Sequence, residues 1–318
     1  MTTRLTRRDL LRFGGLLGGA VVFRRRVPSL LAQTPAAAPT DPLAAMRAQM
    51  GATPISSTSL ADGIVMLSGP GGNVVVQTGA DGKVVVDSFV QPAWPKLKAL
   101  LDSMGMPLKL LIDTHWHFDH TDNNANFHKA GADILAHDNT RKRLNEPHDL
   151  LGMHFEPVTP SARPTQTFRT THTVEANGEF IELGYFAPAH TDTDIYVRFP
   201  KAKVLHMGDV FFNGVYPFID VSTNGNIGGM IAGANKGLEL SDDQTKVVPG
   251  HGPLGDKAAL AAYRDMLMTV RDRVQTLRTA KKPLAEVIAA KPTADLDAAW
   301  AKGKMQPDMF VTVVYNTL

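Results

Sequence analysis

The sequence predicts an α/β protein made of two αβ halves, each contributing a sheet. Short β-branched runs separated by glycine-rich turns ("GIVMLSG", "NVVVQTG", "KVVVDSF") mark strands, and stretches with helical periodicity follow them. The chain then repeats that order, β-rich and mixed, a second time without repeating its letters. At 318 residues it can bury a sizeable core, and its 43% hydrophobic and 20% charged content is ordinary for a soluble globular protein.

Taken in order, strands are expected from Gly63 onward, with "ADGK" as a hairpin turn. A helix is expected over Pro92–Met104, followed by the buried strand "LKLLI" (Leu108–Ile112). Asp122–Ala130 reads as a helix, "ADILAH" as a strand and Asn139–Leu144 as a short helix. Residues 145–166 hold four prolines and little periodicity, which predicts a long loop. Strand patterns resume at 167–174, 179–187, 194–199 and 203–207, then a helix at Ile227–Leu240 and a short strand in "TKVVPGHG". Leu260, Tyr263, Leu267, Val270, Val274 and Leu277 form one stripe of a long amphipathic helix, Ala258–Ala280. The tail reads as a short helix and a capping segment.

The N-terminus has a different character. Arg7 and Arg8 precede a short apolar run, Phe13–Phe23, too short for the roughly 20 residues that span a bilayer. A basic start, a short apolar segment and a later small-residue stretch make a signal peptide, and the paired arginines point to twin-arginine export and a periplasmic location. The expected organisation is a twin-arginine signal peptide over 1–32, a linker rich in Ala, Pro, Thr and Ser over 33–55, a catalytic domain over 56–280, and a C-terminal extension of that domain over 281–318. Residues 1–32 hold seven arginines and one acid, so the remainder carries 26 basic and 30 acidic residues, a formal charge of −4. That balance argues against nucleic-acid binding, which needs a basic stripe. No stable membrane span is expected; the partners are the twin-arginine export machinery and a small-molecule substrate, with the oligomeric state left open. No cysteine is present, so neither a disulfide nor a thiolate metal ligand exists.

The segment "DTHWHFDHTDNN" (Asp113–Asn124) follows the Leu108–Ile112 strand, at a strand end where open α/β sheets hold ligands. If the segment is extended, His115, His117 and Asp119 point to one side and His120 to another, where it can serve a neighbouring ion. Imidazole and carboxylate are the donors that zinc and similar divalent ions take. Three further candidates stand at strand-to-loop transitions: His190 in "APAHTDTD", Asp209 in "LHMGDVFF" and His251 in "VPGHG".

With Asp87, "HWHFDH", "AHTDTD", "GD" and "GHG" in order, the chain resembles the metallo-β-lactamase-fold superfamily from about Gly63 to Ala280. The resemblance implies a four-layer αββα sandwich with two metal ions at one edge. It implies His115, His117 and His190 on the first metal, Asp119, His120 and His251 on the second, and Asp209 between them. Asp87 would orient a ligand histidine. The expected cofactor is two Zn2+, with iron or manganese as alternatives. Asp209 stands where cysteine-using zinc β-lactamases place a thiolate, which sets this chain beside the aspartate-bridged hydrolases of the superfamily.

The mechanism so implied is hydrolysis, a hydroxide shared by the two metals attacking the carbonyl of an ester, lactone, thioester or lactam. Asp119 would orient it and relay a proton, and Tyr216 is the candidate oxyanion donor. His154 is a candidate for facing substrate, and the tip "SGPGGN" (Ser68–Asn73) for a covering flap. The alternatives are a β-lactamase proper, and an iron-dependent sulfur dioxygenase or a phosphodiesterase of the same fold.

Overall fold

The computed structural model describes residues 41–318, so the expected signal peptide and the first part of the expected linker lie outside the described residues. Strands β1 (Ser56–Ala61), β2 (Ile64–Gly69), β3 (Gly72–Gly79) and β4 (Gly82–Val86) form an antiparallel run. β5 (Leu108–Ile112), β6 (Asp133–His137) and β9 (Gln166–Phe168) extend it in parallel, giving a seven-stranded sheet. A small hairpin, β7 (His148–Leu150) and β8 (Met153–Phe155), stands apart from it. The second sheet has six strands in sequential order: β10 (Thr171–Ala176), β11 (Glu179–Tyr185), β12 (Ile195–Phe199), β13 (Val204–His206), β14 (Lys246–Val248) and β15 (Gly255–Asp256).

Alternation along the strands builds the layers. In β4 and β5, Val84, Val86, Leu110 and Ile112 face inward and meet Ile181, Leu183, Ile195 and Val197 of the second sheet. Val85 and Leu111, one residue out of phase, face the opposite side and pack with Leu97 and Leu101 of the helix Trp94–Ser103. Both faces of these strands are buried, which is why they read as unbroken apolar runs. The outer face of the second sheet is covered by the helices Ile227–Glu239 and Lys257–Thr279, through Met230, Leu260, Tyr263 and Val270, and the helix Pro307–Asn316 packs against Lys257–Thr279 in the same core through Phe310. The result is the αββα sandwich. Each fully buried Val or Leu contributes about 1.5–3 kcal/mol, so the sheet-to-sheet core and the helix-covered faces both stabilise the fold.

Three sequence expectations need correction. The expected linker contains a helix, Pro42–Ala52, begun by Pro42 at its first position and capped by the Asp41 carboxylate, which accepts from the Leu43 amide at 2.9 Å. Arg47 fastens that helix to the domain through two bonds to Asp122 (2.6 and 2.7 Å), and Lys96 reaches the Gly51 carbonyl at 2.6 Å. Composition suggested a linker, but these partners distant in the chain hold the segment as a helix. The expected loop at 145–166 contains the β7–β8 hairpin and the start of β9. The expected strand at 167–174 is broken at Arg169–Thr170: β9 ends the first sheet and β10 opens the second.

Candidate metal centre

All candidate ligands emerge at one edge of the sandwich. The Asp113–Thr121 loop leaves β5, His190 precedes β12, Asp209 follows β13 and His251 follows β14. Their side-chain donors fall in two groups, His115, His117, His190 and Asp209, and Asp119, His120 and His251, each with its donor atoms within 4.8 Å of one another. Asp209 joins the groups: its Oδ2 is 3.5 Å from His190 Nε2, 4.0 Å from His115 Nε2 and 3.3 Å from His251 Nε2, and its Oδ1 is 3.3 Å from His120 Nε2. Donors about 2.1 Å from a tetrahedral ion stand roughly 3.4 Å apart, which these separations match.

The local structure departs from the extended segment that alternation requires. After His117 the chain turns into a single helical turn, Phe118–Thr121. Asp119 and His120 therefore leave the same turn and serve the same group, with Asp119 Oδ2 3.9 Å from His120 Nε2 and 3.4 Å from His251 Nε2. Period-two reasoning placed Asp119 with His115 and His117; the turn moves it to the other group, where the family resemblance had put it.

The tautomers follow from the hydrogen bonds behind the ligands. His120 Nδ1–H donates to Asp87 Oδ2 (2.7 Å), and His190 Nδ1–H to the Phe218 carbonyl (2.8 Å). His117 Nε2–H donates to Asp220 Oδ2 (3.1 Å). Thr114 gives its amide and hydroxyl protons to Asp87 (both 2.8 Å), so its oxygen accepts from His115 Nδ1–H at 3.1 Å. Each of these imidazoles thus turns a bare lone pair inward. His117 Nδ1 and His190 Nε2 face each other at 2.9 Å with both other nitrogens already donating. Two lone pairs at that separation repel. A shared cation resolves this, and the buried His115 Nε2, His120 Nε2 and Asp209 Oδ1, which have no hydrogen-bond partner, need one as well. The donor set fits divalent metal.

At His120 and His251 burial lowers the pKa, but nearby carboxylates, Asp87 and Asp209 at the first and Asp209 at the second, outweigh it and raise it, so a proton competes there for the place of a cation. At His115, His190 and Asp209 electrostatics favour the metal-ready form. Burial, with the neighbouring His120, holds the His115 pKa well down, and burial takes that of His190 down to about 3, so both are neutral donors. Burial alone would raise the Asp209 pKa, but His251, His120 and His190 outweigh it and hold it well below the usual carboxylate range. Asp87 is held in the left-handed region (φ 65°), a conformation that costs of the order of 1 kcal/mol and aims its carboxylate at both Thr114 and His120. Gly250 has a steric role, since a Cβ there would lie 1.9 Å from Asp209 Oδ1. That is why a glycine precedes His251.

Tyr216 takes a different place. Its ring lies in the wall of the adjoining cavity, but its single O–H donates to Asp297 Oδ1 (2.8 Å), and the ring stacks on Phe310. The proton needed for an oxyanion is spent, so this tyrosine ties the loop after Asp209 to the C-terminal helices. His154 bonds Asp149 (2.8 Å) on the exposed hairpin and is not in the cavity wall. The glycine tip does line the cavity, but as a fixed wall. Asn73 binds the carbonyls of Gly250, Pro249 and Gly252 (all 2.9 Å), and a Cβ on Gly71 would meet Asp119 at 2.7 Å. Sequence reasoning missed Asp220 altogether. The available signal was "DVST", an aspartate followed by hydroxyl residues: Asp220 Oδ1 accepts from the Ser222 amide at 3.0 Å, the mark of an Asx turn.

Fold and site together define an αββα sandwich with a candidate metal centre at one edge. Residues 68–251 match the family model described as the Metallo-beta-lactamase superfamily, more than half of the chain, and the chain belongs to that superfamily. A curated relative, the 2,4-dinitroanisole O-demethylase subunit alpha of Nocardioides sp. (strain JS1661), is 29% identical over 139 residues, 43% of this chain and 40% of the relative. The chain thus spans about two fifths of the length of that relative. Among solved structures, a metallo-beta-lactamase from Pontibacter korlensis superposes with a TM-score of 0.57 at 18% identity, covering 68% of this chain and 99% of that one. The stereoselective inverting sec-alkylsulfatase Pisa1 from Pseudomonas sp. gives 0.59 at 14% identity, covering 82% and 50%. These likenesses speak to the fold.

Proposed function

We propose that this chain is an exported dinuclear zinc hydrolase acting on a carbonyl substrate of the ester, lactone, thioester or lactam type. The observation that carries the reading is the pair of inward lone pairs on His117 and His190, beside the unpartnered nitrogens of His115 and His120, all facing the Asp209 carboxylate. His115, His117 and His190 would hold one ion and Asp119, His120 and His251 the other, with Asp209 common to both. Two such ions supply Lewis-acid polarisation of a carbonyl and a water acidified toward neutrality.

The protein's own groups do the rest. Asp119 and His251 are the ligands partly open to solvent (side chains 13% and 29% exposed), and with His117 and Asp209 they line the floor of the cavity. Asp119 is therefore the carboxylate that can take a proton from an attacking water and return it to a leaving group. Asp87, Asp220 and the Phe218 carbonyl keep the histidines in register, so little reorganisation accompanies turnover.

The test is metal analysis of protein purified without added metal, then a hydrolysis panel of lactones, thioesters, cephalosporins and 2,4-dinitroanisole with a chelator control. Two equivalents of zinc and chelator-sensitive carbonyl hydrolysis are expected. Iron with oxygen consumption would overturn the reading. The export part rests on Arg7 and Arg8. Replacing both by lysine is expected to leave the protein in the cytoplasm on fractionation; unchanged periplasmic recovery would refute it.

A further inference from the structure

The cavity above the metal ligands encloses about 540 Å3, within the range that holds a small organic molecule. Part of its wall comes from segments outside the stretch that matches the superfamily. Met46 and Met50 project from the helix Pro42–Ala52, and Met305 and Met309 from the C-terminal extension. Four of the thirteen methionines of the chain line this one cavity, as does Leu151 at the turn of the β7–β8 hairpin. Leu151 and Met309 are 61% and 51% exposed, so apolar surface lining the cavity is open to a ligand. Apart from the histidines and aspartates of the cluster, Lys304 is the one charged side chain lining the cavity among the described residues.

We infer that the two flanking segments form the specificity wall of this site, and that the substrate carries a neutral, flexible apolar chain which lies along Met46, Met50, Met305 and Met309. The inference rests on the carbonyl-hydrolase reading for where the chain is anchored. Methionine suits such a wall because its unbranched thioether adapts to chains of different length. Met46 and Met50 hold their places because Arg47, between them, is clamped to Asp122 directly after the ligand turn, which sets the wall at a fixed height above the metal ligands.

The experiment measures binding of methyl ketones from 2-butanone to 2-decanone to the metal-loaded full chain by calorimetry, since these keep the carbonyl and cannot be hydrolysed. Kd is expected to fall about fourfold per methylene, the ratio equivalent to about 0.8 kcal/mol per buried CH2. In Met46→Ser/Met309→Ser the dependence should drop below about twofold, and Met309→Ser alone, at an exposed position, should show part of that change if the double variant misfolds. Met106→Ser, another exposed methionine outside the cavity, should keep the wild-type slope. A wild-type Kd that ignores chain length, or equal slopes in all variants, overturns the inference. A matching series of esters separates the two readings. No cleavage of these esters or of the lactone, thioester and lactam panel, together with a ketone slope, sinks the hydrolase and leaves the wall standing; cleavage with flat ketone binding does the reverse.

Discussion

At the scale of single residues, Asp119 and Asp220 divide the work of the site. Asp119 faces the cavity and is held by no hydrogen-bond network behind it, so Asp119→Ala should leave the fold intact and lower turnover by at least about 100-fold, the low end for a positioned acid–base group. Circular dichroism with steady-state kinetics checks this; near-normal kcat would remove Asp119 from the mechanism. The Asp220 carboxylate acts on the candidate ligands through His117 Nε2. Asp220→Asn keeps the shape but not the charge, and is expected to weaken metal affinity by about 10–100-fold in a chelator competition assay. Unchanged affinity would make Asp220 a turn residue and nothing more. The same two residues show what a sequence reveals at this scale. Asp119 was legible because its type and spacing are unusual, whereas Asp220 belongs to a loop of common residues and gains its role from a contact 103 positions away.

Among the elements, the helix Asp138–Leu144 carries a pH-sensitive cap. His137 Nδ1 accepts from the Asn139 amide (3.2 Å), while its Nε2–H donates to the Arg169 carbonyl (2.8 Å) and its ring stacks on Tyr185 at 4.0 Å. Burial lowers its pKa, so the neutral form is the folded form. The unfolded chain therefore takes up the proton first: the stabilisation is whole above about pH 6.5 and is lost as pH falls below it. His137→Asn keeps a capping oxygen without the titration. Wild type should lose Tm more steeply than this variant below that pH, and parallel curves would disprove the cap. Strand positions were readable from β-branched runs, because a strand buried on both faces must be apolar throughout. The helix Pro42–Ala52 and the β7–β8 hairpin were not readable, because each is held by partners distant in the chain.

For the whole molecule, the ligand edge is a convergence of four strand ends, and metal should act as a clamp across both sheets. An ion present at a thousand times its Kd stabilises by about 4 kcal/mol. Chelation is thus expected to lower Tm by at least about 8 °C, measured by calorimetry with and without zinc readdition. A Tm indifferent to metal would mean that the cluster forms without one.

What the sequence by itself determined was the α/β class, the strand ends and which side chains are candidates for metal donors, because apolar periodicity and the His/Asp spacing are local properties written in consecutive residues. Only the tertiary structure decided how Asp119 comes to face His120 and His251, where the Tyr216 hydroxyl goes, and which flanking segments wall the cavity. Those outcomes depend on a single helical turn after His117 and on contacts between residues far apart in the chain. Local pattern carries no distance information across such separations; packing supplies it.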